Sequence, residues 1–489
     1  MGGLRVIATA GGLRYAKANS TLAGHDLMTA PTFTAVTPAV LEQIQAIVGE
    51  NNMSTTQADI DLHAHDEGHH DAHPAEVVVW PRSAQQVADM LKLANENHIP
   101  VTPWGVGTGL EGNSIPVRGG ILLSLQRMDK VVEVHMDDFQ VTVEPGIPYM
   151  DLNEQLARYG LFFAPDPGAN ATIGGMLANN AAGIRTVKYG ALRDNVLKMQ
   201  VALADGRLIE VGSRSIKQSS GYDLLHLFVG SEGTLGVITQ ATLKLLPVPE
   251  HMIAAIAGFE SVEDAIETVV AVRGSGIDVA ALEFIDVTNT HAMNQAGAEI
   301  EPLPTLLMEV HSAHESSMAE DIAIVQEICE EMGASNFRAT SDLAERKKLW
   351  HARHIAYETL RRINPGQRIW IMDVAVPISN YPALIAGARR IIDEAGIVGY
   401  MKGHAGDGNI HVELPFGDEE TLEKVHVVNN AIVREALALE GTATGEHGVG
   451  IGKAQFMEEE HGESLNVMRS IKNLLDPNGI LNPGKVFPE

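Results

Sequence analysis

The pattern of apolar and polar positions changes character twice along the chain. An apolar run at 76–80 is followed, after Ser83, by Val87, Met90, Leu91 and Ala94 at helical spacing. A second apolar run at 99–103 completes a strand–helix–strand unit, so ordered structure is predicted to begin at Ala75. Short strands are predicted at 121–125, 131–135 and 141–144, then a helix over about 150–159. Beyond Pro247-Val248-Pro249 the rhythm becomes longer. Strand-like runs at 253–259, 279–285 and 305–311 alternate with helical runs at 262–273 and 318–332. The cycle continues with a strand at 369–376, a helix from Tyr381, strands near Val398 and Ile410, and a helix over 422–439. Sets of strands with helices on one side predict an α+β region.

Length changes this picture by forcing a division. At 489 residues the chain exceeds what one core supports. The expected parts are an irregular segment at 1–72, a first domain at 73–249, a second at 250–455, and a closing segment at 456–489. A net charge of −28, with Arg346-Lys347-Lys348 the densest basic run, excludes nucleic acid as a partner. Cys329, the single cysteine, rules out a disulfide framework and is read as a buried apolar residue of a helix. No apolar run is long enough to cross a bilayer. The first 25 residues carry Arg5, Arg14 and Lys17 without an acid, a pattern compatible with a targeting segment but lacking a secretory apolar core. An intracellular protein is expected, cytoplasmic or peripheral to an inner membrane, mitochondrial in a eukaryote. Peripheral membrane contact and a homodimer are both compatible with the sequence.

The candidate chemistry concentrates late in the chain. Gly403-His404-Ala405-Gly406-Asp407-Gly408-Asn409-Ile410-His411 sets two imidazoles seven residues apart among glycines that no regular helix tolerates. Thr444-Gly445-Glu446-His447-Gly448 repeats that character with a carboxylate and an imidazole. His404, His411 and Glu446 offer three ligands with an open position, the arrangement of a catalytic metal centre, with His447 beside them. Nitrogen and carboxylate donors suit Zn, Mn or Fe. The tract from His63 to His73, with five His among three acids, has no such glycine frame and reads as a solvated loop.

Three glycine-rich segments lie upstream. Trp104-Gly105-Val106-Gly107-Thr108-Gly109-Leu110-Glu111-Gly112 follows a strand, where bare backbone N–H groups can close round phosphate oxygens. It opens no helix, which sets it apart from the nicotinamide fingerprint. The second runs from Pro165 through Gly168, Thr172, Gly175 and Asn179 to Gly183, and the third from Val229 through Glu232 and Gly236 to Thr239.

In order and content these segments resemble the vanillyl-alcohol oxidase and p-cresol methylhydroxylase flavoproteins. More narrowly, the chain resembles the group of D-lactate dehydrogenase (cytochrome) and the flavin subunit of glycolate oxidase. The resemblance implies an α+β protein: a two-subdomain FAD-binding domain of the p-cresol methylhydroxylase type, and an α+β cap domain with an antiparallel sheet. It implies that Gly105, Gly107, Thr108, Gly109 and Leu110 cradle the FAD pyrophosphate. Gly168, Thr172, Gly175, Asn179, Gly183, Glu232, Gly236 and Ile238 would line the rest, and the closing motif with Asn482 would return to the flavin domain. With Cys329 outside every flavin motif, FAD is expected to be non-covalent. The implied reaction is oxidation of a short D-2-hydroxy acid, D-lactate foremost, by hydride transfer to flavin N5. His447 would be the base, Arg353 the clamp for the substrate carboxylate with Lys402 a second candidate, and His404, His411 and Glu446 the metal ligands. The implied electron acceptor is cytochrome c, a quinone or an electron-transfer flavoprotein. In related D-2-hydroxyglutarate dehydrogenases a Lys falls at Ile371 and an Asn at Glu413, so these two positions favour a monoacid. Glycolate oxidation within a multi-subunit complex, D-2-hydroxyglutarate oxidation, and a metal-storage role for the His-rich tract are the alternatives.

Overall fold

The structure is a computed structural model that describes residues 32–488 apart from Ala296 and Ala298. The basic N-terminal stretch read as a targeting candidate lies outside the described residues. Among the described residues no helix is long and apolar enough to cross a membrane.

Two sheets form the first part of the chain. Val77–Val79 and Val101–Trp104 both pair in parallel with Ile121–Ser124, which lies between them, and Met53–Ser54 adds an antiparallel edge. The helix Ala84–Glu96, capped by Ser83, buries Val87, Met90, Leu91 and Ala94 against this sheet. A five-stranded antiparallel sheet follows, in the order Val131–His135, Gln140–Val143, Val237–Lys244, Val196–Ala202, Leu208–Gly212. The helices Tyr149–Ala157 and Ile173–Asn179 contribute to its core. The glycine-rich loop leaves Val101–Trp104 without opening a helix.

The later part is a seven-stranded, wholly antiparallel sheet. Its order is Ala334–Thr340, His251–Phe259, Thr305–Ser312, Val279–Ile285, Tyr400–Gly403, Asn409–Phe416, Arg368–Ala375. Alternation of side chains along a strand divides its residues between two layers. Leu282, Phe284, Met308, Val310, Met372, Val374, Met401, Ile410 and Val412 pack with the helices Val262–Gly274, Glu315–Glu331, Tyr381–Ala395 and Glu419–Ala438 in the largest core. Glu283, Glu309, His311, Asp373, Lys402, His411 and Glu413 occupy the alternate positions and are also buried. The register slips between Val279 and Ala281 where this strand meets Thr305–Ser312.

Two expectations are corrected. Helices do not lie on one side of the sheet only. Val287–Gln295, Leu343–His354 and Ala356–Ile363 pack on the other face through Ala292, Met293, Leu349 and Leu360, against Ile256, Leu307 and Ile369. Polar residues interrupt the hydrophobic spacing of Val287–Gln295 and Leu343–His354, so the sequence pattern understated these two. The tract from His63 to His73 is a loop as expected, but only partly solvated: His65, Glu67, Asp71 and Ala72 are exposed, while His63, Ala64 and Asp66 are buried. His63 is buried against Trp80 and Trp104, and the His69 ring stacks on Trp370 at 3.3 Å between centroids. Asp66 accepts from Gly68 N and Gly112 N, both at 2.9 Å, and so braces the glycine-rich loop. Composition gave no sign of these tertiary partners.

Candidate active site

The glycine-rich segments converge on one cavity of about 1250 Å³, open solvent at its mouth included. Gly105, Gly107, Thr108, Gly109 and Leu110 line one side; Thr172, Gly175 and Asn179 line another; Glu232, Gly236 and Ile238 complete the wall. A Cβ on Gly105 would fall 2.4 Å from Thr172 Oγ1, and Gly107 has φ +73°, so at both positions only glycine keeps the loop shape. Gly168, Gly183 and Asn482 are not on this wall. Gly183 instead lets the chain pass Asp166, whose carbonyl oxygen a Cβ would meet at 1.7 Å. Asn482 donates to the carbonyls of Asn113 at 2.8 Å and Glu232 at 2.7 Å, pinning the closing segment onto two cavity loops. Leu481 bridges Val101 directly.

Glu446 and His447 line the same cavity, which brings the second candidate cluster to the first. Ligand atoms of His404, His411 and Glu446 all lie within 4.8 Å of one another. His404 Nε2 is 3.5 Å, and His411 Nε2 3.2 Å, from Glu446 Oε1. Glu446 Oε2 and His447 Nδ1 are buried and have no hydrogen-bond partner among the described residues. His447 Nε2 stands 3.6 Å from Glu446 Oε1 and its ring stacks on His411 at 5.2 Å.

Two buried carboxylates stand behind the imidazoles. Glu283 Oε1 lies 2.6 Å from His404 Nδ1. Asp373 Oδ1 lies 3.7 Å from His411 Nδ1, its cross-strand neighbour. Asp373 Oδ2 also accepts from Thr444 Oγ1 at 2.9 Å and from the backbone N–H groups of Gly445 at 2.6 Å, Glu446 at 2.9 Å and His447 at 3.3 Å. One carboxylate thus folds the whole Glu446-His447 turn. Glu232 does the same for the next turn, accepting from Val449 N at 2.6 Å and Gly450 N at 2.8 Å.

The carboxylates dominate the electrostatics of the cluster. Burial opposes charge on His404, yet Glu283 and Glu446 outweigh it and lift its pKa to about 10. Burial would raise Asp373, but His447, His411 and backbone donors hold it at about 2. Glu446 is held well below the carboxylate range by His404 and His411 against its own burial. Burial pushes His447 the other way, below the ordinary imidazole value, which favours its neutral form. Two imidazole Nε2 atoms facing Glu446 Oε1, a buried Oε2 on the same carboxylate and further carboxylates behind the rings fit a divalent metal held by His404, His411 and Glu446.

Arg353 is buried, 8 % exposed, and donates from Nε at 2.9 Å and Nη2 at 2.7 Å to Glu283 Oε2. It therefore adjoins the cluster through Glu283. Lys402, a neighbour of His411 across the strands, is paired with Glu413 at 2.5 Å. Sequence reasoning missed Glu283, Asp373, Asp66 and Asn113. The first two had a readable signal, a lone acid inside an apolar strand (VAALEFI and IWIMDVA).

Residues 75–212 match the family described as FAD binding domain, and 248–486 match FAD linked oxidases, C-terminal domain. A D-lactate dehydrogenase (cytochrome), mitochondrial, of Arabidopsis thaliana is 38% identical, covering 93% of this chain and 81% of its own. A D-lactate dehydrogenase of Archaeoglobus fulgidus is 39% identical over 84% of this chain and 91% of its own. Glycolate oxidase subunit GlcD of Bacillus subtilis is 32% identical over 92% and 97%. Among solved structures, p-cresol methylhydroxylase with substrate bound superposes with a TM-score of 0.76 at 17% identity, covering 94% of this chain and 98% of its own. A 4-ethylphenol oxidase from Gulosibacter chungangensis gives 0.76 at 20% identity, covering 94% and 99%. The fold is the p-cresol methylhydroxylase type, joined to an α+β region with an antiparallel sheet, and the chain belongs to the FAD-linked oxidases, in the group that holds the cytochrome-type D-lactate dehydrogenases and the glycolate oxidase flavin subunit.

Proposed function

We propose that this chain oxidises a short D-2-hydroxy acid, D-lactate foremost, with non-covalent FAD and a divalent metal. The observation that carries the reading is that Glu446 and His447, at the metal cluster, line the same cavity as the flavin-loop residues. When bound, FAD supplies a two-electron acceptor and the metal supplies Lewis-acid polarisation of a hydroxyl oxygen. The chain's own residues do the rest. His447, kept neutral by burial, takes the hydroxyl proton. Arg353 holds the substrate carboxylate, a pairing its planar fork suits. The carbonyl of His447 accepts from Asn113 at 3.3 Å and Asn179 at 3.2 Å, which fixes the base relative to the flavin wall.

Size selection follows from the strand face. Glu413 and Lys402 are tied to each other, and Ile371 faces Glu413 across the strands, so a second substrate carboxylate finds no spare cation from these three. Non-covalent flavin agrees with Cys329 being buried in the core of the later sheet, away from the cavity. We assign the flavin to 73–249 with the closing segment, and the metal cluster to 250–455. The acceptor is a cytochrome, by analogy with the names of the relatives.

The test is anaerobic: D-lactate should bleach the flavin absorbance of the purified yellow protein, faster than glycolate or D-2-hydroxyglutarate. Faster bleaching by glycolate would move the chain to the glycolate-oxidising reading, which the GlcD relative favours. No bleaching by any of the three would refute the reading.

A further inference from the structure

Glu283 is the fully buried acid of an otherwise apolar strand, with 0 % exposure. An unpaired carboxylate there would cost several kcal/mol, so its partners matter. Oε1 is given to His404 Nδ1 at 2.6 Å and Oε2 to Arg353, by Nε at 2.9 Å and Nη2 at 2.7 Å. A carboxylate only accepts, so His404 Nδ1 carries a proton, and Nε2, 3.5 Å from Glu446 Oε1, is the ring nitrogen left to meet a metal by giving up its own proton.

We propose that Glu283 is a positioning residue that locks the metal ligand His404 and the clamp Arg353 to one another. The two cations that meet the substrate, the metal at its hydroxyl and the guanidinium at its carboxylate, then stand at a set separation. A 2-hydroxy acid carries those two groups on adjacent carbons, so a fixed spacing selects that class over 3-hydroxy acids. This inference rests on the metal-and-clamp reading given above.

The two bonds make a sharp demand on the side chain. An amide has one accepting end and one donating end, so Glu283→Gln must set N–H against N–H at either His404 or Arg353. Glu283→Asp keeps the charge but draws it back by one methylene. The experiment titrates Zn²⁺ and Mn²⁺ into chelator-stripped FAD holoprotein of the parent and both variants, and measures KM for D-lactate and for 3-hydroxybutyrate. The parent should bind metal, and Glu283→Gln should lose about 10–100-fold in metal affinity, the usual effect of removing a ligand's supporting carboxylate. Its KM for D-lactate should rise while that for 3-hydroxybutyrate changes less. Glu283→Asp should lie between, and it carries the test if Glu283→Gln fails to hold flavin. A variant that only melts earlier, with unchanged metal affinity and KM, would overturn the inference and leave the metal reading standing. A parent that takes up neither metal would overturn both.

Discussion

The side-chain amide of Asn179 donates to the main-chain carbonyl of His447 at 3.2 Å, across 268 residues of sequence. Asn113 donates to the same oxygen at 3.3 Å. The base of the proposed reaction is therefore registered on the flavin wall, and its placement depends on residues outside its own loop. In Asn179→Ala one of the two donors is lost, at about 1 kcal/mol. Stopped-flow flavin reduction by D-lactate, with FAD saturating, should slow by about five- to tenfold. Metal content should not change.

His447 has its own signature. In His447→Asn the flavin and metal should both remain, while flavin reduction slows by about 10²–10⁴-fold, the usual worth of a positioned base. Burial holds the folded pKa of His447 below its unperturbed value of 6.5, so the neutral form persists as pH falls through 6.5. The acid limb of the reduction-rate profile should accordingly lie below pH 6.5, and should be absent in the variant.

Metal ligands separate from flavin ligands. His404→Ala and Glu446→Ala should release the metal, measured by elemental analysis, and lower turnover by at least about a thousandfold, given the several kcal/mol a Lewis acid supplies. The flavin spectrum should stay close to the parent's, because neither side chain belongs to the three upstream glycine-rich segments that build most of the cavity wall. Full turnover in either variant would remove that residue from the mechanism.

Stability should carry a pH signature from Glu111. Burial raises its carboxyl from 4.5 to about 8 against the pull of Lys453, so the folded chain keeps it protonated. A folded pKa above the unfolded one means that this stabilisation is present below pH 4.5, declines as pH rises and is lost through pH 8. Glu111→Gln keeps the shape without that titration. The variant should therefore gain melting temperature relative to the parent as pH rises from 5 to 9, with the two converging near pH 4.5. A difference that does not change with pH would place Glu111 in its charged form.

Much of this site could be read from sequence, for a physical reason. His404 enters a short turn and His411 stands on the following strand, so the glycines that make the turn also advertise it. The flavin loops are visible for the same reason, since close backbone approach leaves glycines in the text. The residues behind them were hidden. Glu283 and Asp373 find their partners 121 and 72–74 residues away, and a lone acid in an apolar strand names no partner. The His63–His73 tract misled in part: it is polar by composition and exposed at His65, Glu67, Asp71 and Ala72, yet His63 and His69 pack on Trp104 and Trp370. Helix spacing was clear where one face is apolar, as in Ala84–Glu96, and obscure in Leu343–His354, where charged residues fall on most turns.

The register slip between Val279 and Ala281 has a consequence for the whole reaction. Val279 and Leu282 lie in the same apolar layer although three residues separate them, an odd interval that a regular strand would place on opposite faces. The extra residue changes the phase of everything after it. Without it, Glu283 would point among the helices and Leu282 would face His404. One inserted residue thereby decides which side of the strand is chemical and which is structural.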